Sequence, residues 1–155
     1  MIKKLNSFLK KNNLNINYVD VGARDDLSEL LQKIEANLNV YGFETDPHEN
    51  ELLNKKFPNR KYYKDGLWSS KKTLELFITK DPSSSSIYKP NISENSNYKD
   101  SFHNCRKIVK QLKVNVVKMD DLIKISPDFI KIDTQGSEYE IIKGAIEILK
   151  NNCPL

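Results

Sequence analysis

Residues 129–145 read FIKIDTQGSEYEIIKGA: an apolar run ending in an aspartate, a Gln-Gly turn, and the start of a helix. Phe129–Ile132 has the character of a strand buried between neighbours, closed by Asp133. Gln135-Gly136 supplies the turn. Beyond it, Ile141, Ile142, Ala145, Ile146 and Leu149 recur at helical spacing and predict the buried face of one helix. Glu138 falls in that helix's first turn, where the dipole favours an acid. A strand that turns directly into a helix is the repeating unit of a parallel α/β sheet.

The same unit recurs upstream. NYVDVG (17–22) is a valine-rich run closed by glycine, a strand buried on both faces. Asp25 and Asp26 are placed to cap a helix carrying Leu27, Leu30, Leu31 and Ile34 on one side. NVYGFET (39–45) is a second strand; Pro47 suits the first turn of a helix running to about 56, and Pro58 ends it. KYYKDGLWSS (61–70) opens a third strand that ends near Asp65-Gly66, with Tyr62, Tyr63 and Trp68 packing the sheet. TLELFITK (73–80) alternates as a strand with one wet face, and KVNVVKMDDL (113–122) returns to strand character. The order predicts an α/β fold, a parallel sheet with helices on both faces.

Other segments frame this unit. Ile2, Leu5, Phe8 and Leu9 predict a helix within 1–14 that packs on the domain. Residues 81–107 are polar and turn-rich, a mobile loop or a lid over a substrate. Within them Ser83–Ser86 could hydrogen-bond an acceptor but reads better as a flexible linker, and His103 reads as an exposed loop histidine. After the last helix the alternation calls for another strand, and Pro154-Leu155 would be its first residues. The 155 residues are therefore expected to be one incomplete domain.

Composition narrows the function classes. Twenty-five basic residues are interleaved with 21 acidic ones, so the +4 net charge is too diffuse to point to nucleic acid. No run approaches a membrane span, and the N-terminus lacks the apolar core of a signal peptide. Cys105 and Cys153 form neither a metal-type pair nor a disulfide framework, which fits a reducing cytoplasm. Asn91-Ile92-Ser93 matches a glycosylation acceptor but carries no weight without a secretion signal.

The chemistry-bearing residues gather at strand ends. Asp20-x-Gly22 closes the first strand where a ligand could meet backbone N–H groups and a carboxylate. A dinucleotide fingerprint would need glycines at 24 and 27, and those positions hold Arg24 and Leu27. Glu44 follows Gly22 by 22 residues, close to the roughly 20-residue offset at which an acid meets a ribose hydroxyl pair. Asp65-Gly66 and Asp133 end two further strands. In a parallel sheet the four acids share one edge, where ligands bind and where a cation would be welcome. Read singly, each has an ordinary alternative: a tight turn at Gly22, a helix-capping acid at Glu44, an Asp-Gly turn at Asp65.

YVDVGARDD, YGFETDP, SSSSIYKP, VKMDDL and above all DFIKIDTQGSEYEIIKGA resemble the FkbM family of S-adenosylmethionine-dependent methyltransferases, from about Asn17 to the C-terminus. The resemblance implies a Rossmann-like class I methyltransferase fold, truncated at the C-terminus. It also implies methyl transfer to hydroxyl oxygens of sugars, glycolipids or other small acceptors. Position by position, it implies that Asp20, Gly22 and Ala23 line the methionine half of S-adenosylmethionine. Glu44 would take the ribose hydroxyls, Asp65 and Gly66 would border the adenine, and Asp133, Gln135, Gly136 and Glu138 would lie beside the transferring methyl. Asp133 and Glu138 are then the candidate proton acceptors; as a pair they could hold Mg²⁺, though two acids make a sparse metal site. The family's first motif usually continues Gly-Ala-Asn-x-Gly, whereas this chain has Gly22-Ala23-Arg24-Asp25-Asp26, and Arg24 could pair with the cofactor's carboxylate. That departure keeps open a second reading, a degenerate domain that binds cofactor weakly or serves only a protein partner.

Overall fold

The structure, a computed structural model, describes residues 2–91 and 100–155. Helix α1 (Ile2–Lys11) leads into strand β1 (Ile16–Val21), the short helix α2 (Glu29–Gln32), β2 (Leu38–Phe43), α3 (Pro47–Lys56) and β3 (Lys61–Tyr63). Then come β4 (Gly66–Leu67), β5 (Lys72–Thr79), α4 (Asp100–Cys105), β6 (Ile108–Val117) and α5 (Met119–Leu122). The chain closes with β7 (Phe129–Ile132), α6 (Glu138–Lys143) and α7 (Ile146–Asn152).

The strands that end in acids build one sheet. Its order is β3-β2-β1-β7, and every pair in it is parallel. Side chains alternate across β1, so its two faces feed different cores. Val19 and Val21 join Phe43, Met119, Ile141 and Ile148 on one side. Tyr18 packs with Leu27 and Val40 on the other. Each buried valine contributes roughly 1.5–3 kcal/mol. The expected packing aromatics are where they should be: Trp68 is buried, Tyr63 stacks on Phe43 at 4.8 Å, and the Tyr62 ring lies over Gly42.

The remaining strands form a second sheet, β4-β6-β5, in which β5 and β6 run antiparallel. Leu76, Ile78 and Val114 give it a core of its own. Gly66 links the two sheets by close approach, since a Cβ there would lie 2.7 Å from Thr45 and 3.0 Å from Val116.

Helix α3 has the expected bounds, and its cap is Asp46, which accepts from the His48 N–H at 3.1 Å. Elsewhere the helices depart from expectation. Helix α2 is a single turn, and Leu30 is 56% exposed while Leu27 and Ile34 are buried. Asp26 holds the preceding turn by accepting from the Leu27 N–H at 2.7 Å. The one expected C-terminal helix is two, broken at Gly144, where a Cβ would sit 2.1 Å from the Trp68 carbonyl oxygen. The break turns Ile142 and Ile146 toward solvent and buries Ile148 in their place. Asp120 caps the second piece, accepting from Glu147 N–H at 3.2 Å and Ile148 N–H at 3.0 Å.

Helix α1 is anchored by buried Leu9 and by Asn6 Nδ2, which donates to Lys33 O, while Phe8 stays exposed. Leu155 donates to Asp128 O and accepts from Ile130 N–H, the hydrogen-bond spacing of a parallel partner on the outer edge of β7. Among the described residues no helix is long and apolar enough to cross a membrane. Ile92 and Ser93 of the glycosylation triplet lie outside the described residues, as does 92–99 of the polar segment.

Candidate functional site

The carboxyl ends of β1, β2 and β7 open into a cavity of about 190 Å³. Both sheets line it: Asp20, Gly22 and Glu44 from the parallel sheet, with Gly66, Ile78 and Val116 from the second. Among the described residues six carboxylates line it (Asp20, Asp25, Asp26, Glu44, Asp46 and Asp133), against two cations, Arg24 and Lys131.

The turn after β1 forms one wall. Gly22 has φ +83°, a conformation natural to glycine, and a Cβ there would fall 2.1 Å from the Asp133 carbonyl oxygen. The turn is thereby pressed against the end of β7. The N–H groups of Gly22 and Ala23 both donate to Phe43 O at 3.1 Å. The expectation that these groups face a ligand is corrected: they bind the end of β1 to β2.

Glu44 lies one residue past β2 and is 7% exposed. Burial pushes its pKa up, opposed by the Asp46 N–H and by Arg24. Its Oε1 accepts from Asp46 N–H at 2.7 Å, whereas Oε2 has the Arg24 Nε at 4.0 Å. Arg24 also reaches Asp46 at 3.3 Å and Glu49 at 3.7 Å. Its cation is thus shared among three acids of the β2–α3 junction.

Asp20 lies within β1 rather than at its end, and is likewise buried. Burial raises its pKa, and Lys131, at 3.0 Å, works against that rise. Lys131 also approaches Asp133 at 3.9 Å, so one ammonium joins two carboxylates across neighbouring strands. The Asp133 side chain is 62% exposed, open to the cavity it lines.

Two sequence candidates stand apart. Asp65 lies between β3 and β4 and does not line the cavity, although Gly66 does. Glu138 is also off the cavity wall: its Oε1 accepts from Thr134 N–H at 3.0 Å, Thr134 Oγ1 at 3.2 Å and Gly136 N–H at 3.1 Å. Desolvation pushes the Glu138 pKa up, but hydrogen bonds from its own N–H, Gly136 and Thr134 outweigh it and leave the carboxyl below its ordinary value. Glu138 therefore builds the turn 134–136. Among the described residues no group of three or more His, Cys, Asp or Glu side chains is placed to hold a metal ion.

Three residues escaped the sequence reading. Lys131 looked like a spacer in FIKI, yet its register opposite Asp20 decides its contact. Ser86 is buried, pairs with Phe77 through its backbone and donates from Oγ to Gln135 O at 2.8 Å. That correction replaces the flexible linker expected at 83–86 with a docked segment. Arg60 is buried between Asp26 and Glu35, tying the first loop to the start of β3.

A parallel sheet flanked by helices, whose strand ends meet in an acid-lined cavity, defines a Rossmann-like α/β protein. Residues 20–154 match the Methyltransferase FkbM domain. The chain belongs to the FkbM methyltransferase family. Among solved structures, a methyltransferase FkbM from Methylobacillus flagellatus KT has the same fold, with a TM-score of 0.59 and 18% identity. The match covers 90% of this chain and 31% of that one, so this chain spans about a third of its length. No curated protein matches.

Proposed function

We propose that this chain is an S-adenosylmethionine-dependent methyltransferase acting on a hydroxyl oxygen of a sugar, glycolipid or other small acceptor. The observation that carries the reading is Glu44, a buried carboxylate on the cavity wall beside the Gly22 turn with Oε2 not taken up by a backbone donor. Burying such a group is unfavourable unless a partner compensates it, and a ribose hydroxyl pair supplies two donors. The surplus of carboxylates suits a cationic ligand.

The bound cofactor supplies a methyl group already activated on a sulfonium. The chain's own residues would do the rest. Glu44 would hold the ribose hydroxyls, Gly66 would border the adenine, and Asp20, Gly22 and Ala23 would line the methionine end. Asp133 would accept the proton leaving the acceptor hydroxyl, a role worth about 10²–10⁴ in rate. Lys131 fixes Asp133 relative to β1, and Glu138 fixes the turn that follows it. Holding the acceptor in line is where most of the barrier reduction would arise.

One observation favours the second reading, a family domain without turnover. Arg24 is already paired with Glu44, Asp46 and Glu49, so binding a diol at Glu44 has to displace or accommodate it. Calorimetric titration of S-adenosylhomocysteine into the 155-residue chain separates the two. Micromolar binding that Glu44→Ala abolishes supports the enzyme. A folded chain that gives no heat sinks it.

A further inference from the structure

A second cavity, of about 210 Å³, lies against the first, and the two share Ser86 and Gln135 on their walls. We propose that it is the acceptor site and that it selects acceptors carrying an anionic group, a phosphate or a carboxylate, beside the hydroxyl to be methylated. The inference rests on the methyltransferase reading above.

Position is the first argument. The two cavities meet at the Ser86 Oγ–Gln135 O hydrogen bond, 2.8 Å long. Gln135 has φ +58° and Gly136 φ +115°, and Gln135 lines both cavities from this turn. A Cβ on Gly136 would come 3.3 Å from the Tyr88 ring, so the turn already packs on that cavity's wall. Asp133, two residues before Gln135, lines the first cavity. An acceptor hydroxyl in the second cavity would reach Asp133 across the wall formed by Ser86 and Gln135, which both cavities share.

Charge is the second. Among the described residues the first cavity carries six carboxylates, whereas none lines the second, whose charged residues are Lys89 and Arg106, with His103 beside them. Arg106 lies on the Phe102 ring, its Cζ 3.6 Å from the centroid, and its Nη1 is 3.5 Å from Cys105 Sγ. Among the described residues neither Arg106 nor Lys89 has a carboxylate within 4 Å. Held flat on the ring, the guanidinium gives one N–H to Cys105 Sγ and acts on the nearby Asp81 carboxylate, and the rest of its planar fork suits a planar or tetrahedral oxyanion. The hydroxyls of Ser84 and Tyr88 add neutral donors on the same wall. The opposed linings sort the ligands by charge: a cationic cofactor on one side of the turn, an anionic acceptor on the other.

The test is calorimetry on the 155-residue chain at fixed ionic strength. S-adenosylhomocysteine is titrated first; glucose 6-phosphate, glucuronate and glucose follow, each with and without it. Both anions should bind about tenfold or more tighter than glucose, and the stronger of the two identifies the oxyanion preferred. Arg106→Gln should weaken both by about tenfold or more and leave S-adenosylhomocysteine binding unchanged, which also shows that the variant is folded. Anions that bind no better than glucose, or an Arg106→Gln chain that binds them as well as the parent, would overturn the proposal. A chain that ignores S-adenosylhomocysteine yet binds anions through Arg106 would keep the anion site and refute the methyltransferase reading.

Discussion

Gly22→Ala is the substitution whose effect the backbone determines most completely. At φ +83° an L-residue pays roughly 1–2 kcal/mol for the left-handed conformation. The new methyl would also overlap the Asp133 carbonyl oxygen at 2.1 Å, and backbone on both sides leaves no flexible side chain to give way. Relief requires moving the end of β7 away from β1, an overpacking penalty of roughly 1–3 kcal/mol. The total, about 2–5 kcal/mol, is a large part of the roughly 5–15 kcal/mol by which a domain is stable. With a urea slope of about 1–3 kcal/mol/M, the unfolding midpoint should fall by about 1–3 M. Gly144→Ala is the internal control. It meets the Trp68 oxygen at the same 2.1 Å, but φ there is −83°, so only the overlap contributes. The reasoning is refuted if Gly22→Ala shifts the urea midpoint no further than Gly144→Ala. Because the displaced strand carries Asp133, the Gly22 variant should also lose catalysis at temperatures where it remains folded.

Glu44→Gln should abolish S-adenosylhomocysteine binding yet melt no lower than the parent, since it removes a buried charge whose pKa burial has raised; a lowered melting temperature would show Glu44 to be a structural anchor. The affinity of the parent for S-adenosylhomocysteine should fall on acidification, beginning above the ordinary glutamate value of 4.5, because the raised pKa protonates Glu44 early and the carboxylate is the binding form. Calorimetry on the parent across pH checks this, with Asp20, also raised by burial, adding to the same fall. Asp133→Asn should lower turnover about 10²–10⁴-fold with little change in cofactor affinity, while Glu138→Gln should act mainly on thermal stability. Arg60→Met should destabilise by about 1–3 kcal/mol: the arginine is buried and stacked on Phe57 at 3.8 Å, but its partners Asp26 and Glu35 are a third to a half exposed and screened. Chemical denaturation gives that number directly.

The parallel sheet was legible because its strands read as apolar runs, and β1 and the end of β2 are indeed buried, although β7 is only partly so, with Phe129 42% exposed. VDVG, VYGF and FIKI are runs that fit neither a wet strand nor a short helix, and each closes on a glycine or an acid. The acids found that way, Asp20, Glu44 and Asp133, do meet at one cavity. The second sheet was not legible as a pairing. β5 and β6 are separated by nearly thirty residues of polar chain, and an alternating pattern marks a strand without naming its partner. Backbone contacts left no mark at all: the Phe77–Ser86 bridge docks Ser83–Ser86 by main-chain groups that any residue carries. The break at Gly144 is set by closeness to Trp68, a contact 76 positions upstream, so periodicity alone extended one helix through it. Lys131 was hidden for a different reason. Its importance lies in register with Asp20, which exists only once β1 and β7 are known to be neighbours.

That register explains how two carboxylates can share a partly buried strand edge. Asp20 is buried, which raises its pKa, and the nearby Asp133 carboxylate adds to that rise. Lys131 at 3.0 Å from one and 3.9 Å from the other supplies the compensating charge. Breaking such an arrangement by removing the cation leaves buried charge uncompensated, which is costlier than replacing the whole set. Lys131→Met should therefore destabilise the chain, and adding Asp20→Asn should restore part of the loss, giving a coupling of about 0.5–3 kcal/mol in a double-mutant cycle. Additive effects would mean that the ammonium serves solvent rather than Asp20. Coupling in stability, with S-adenosylhomocysteine affinity still reduced in the double variant, would mean that the lysine keeps the Asp20 carboxylate charged for the cofactor and leaves Asp133 exposed to do chemistry.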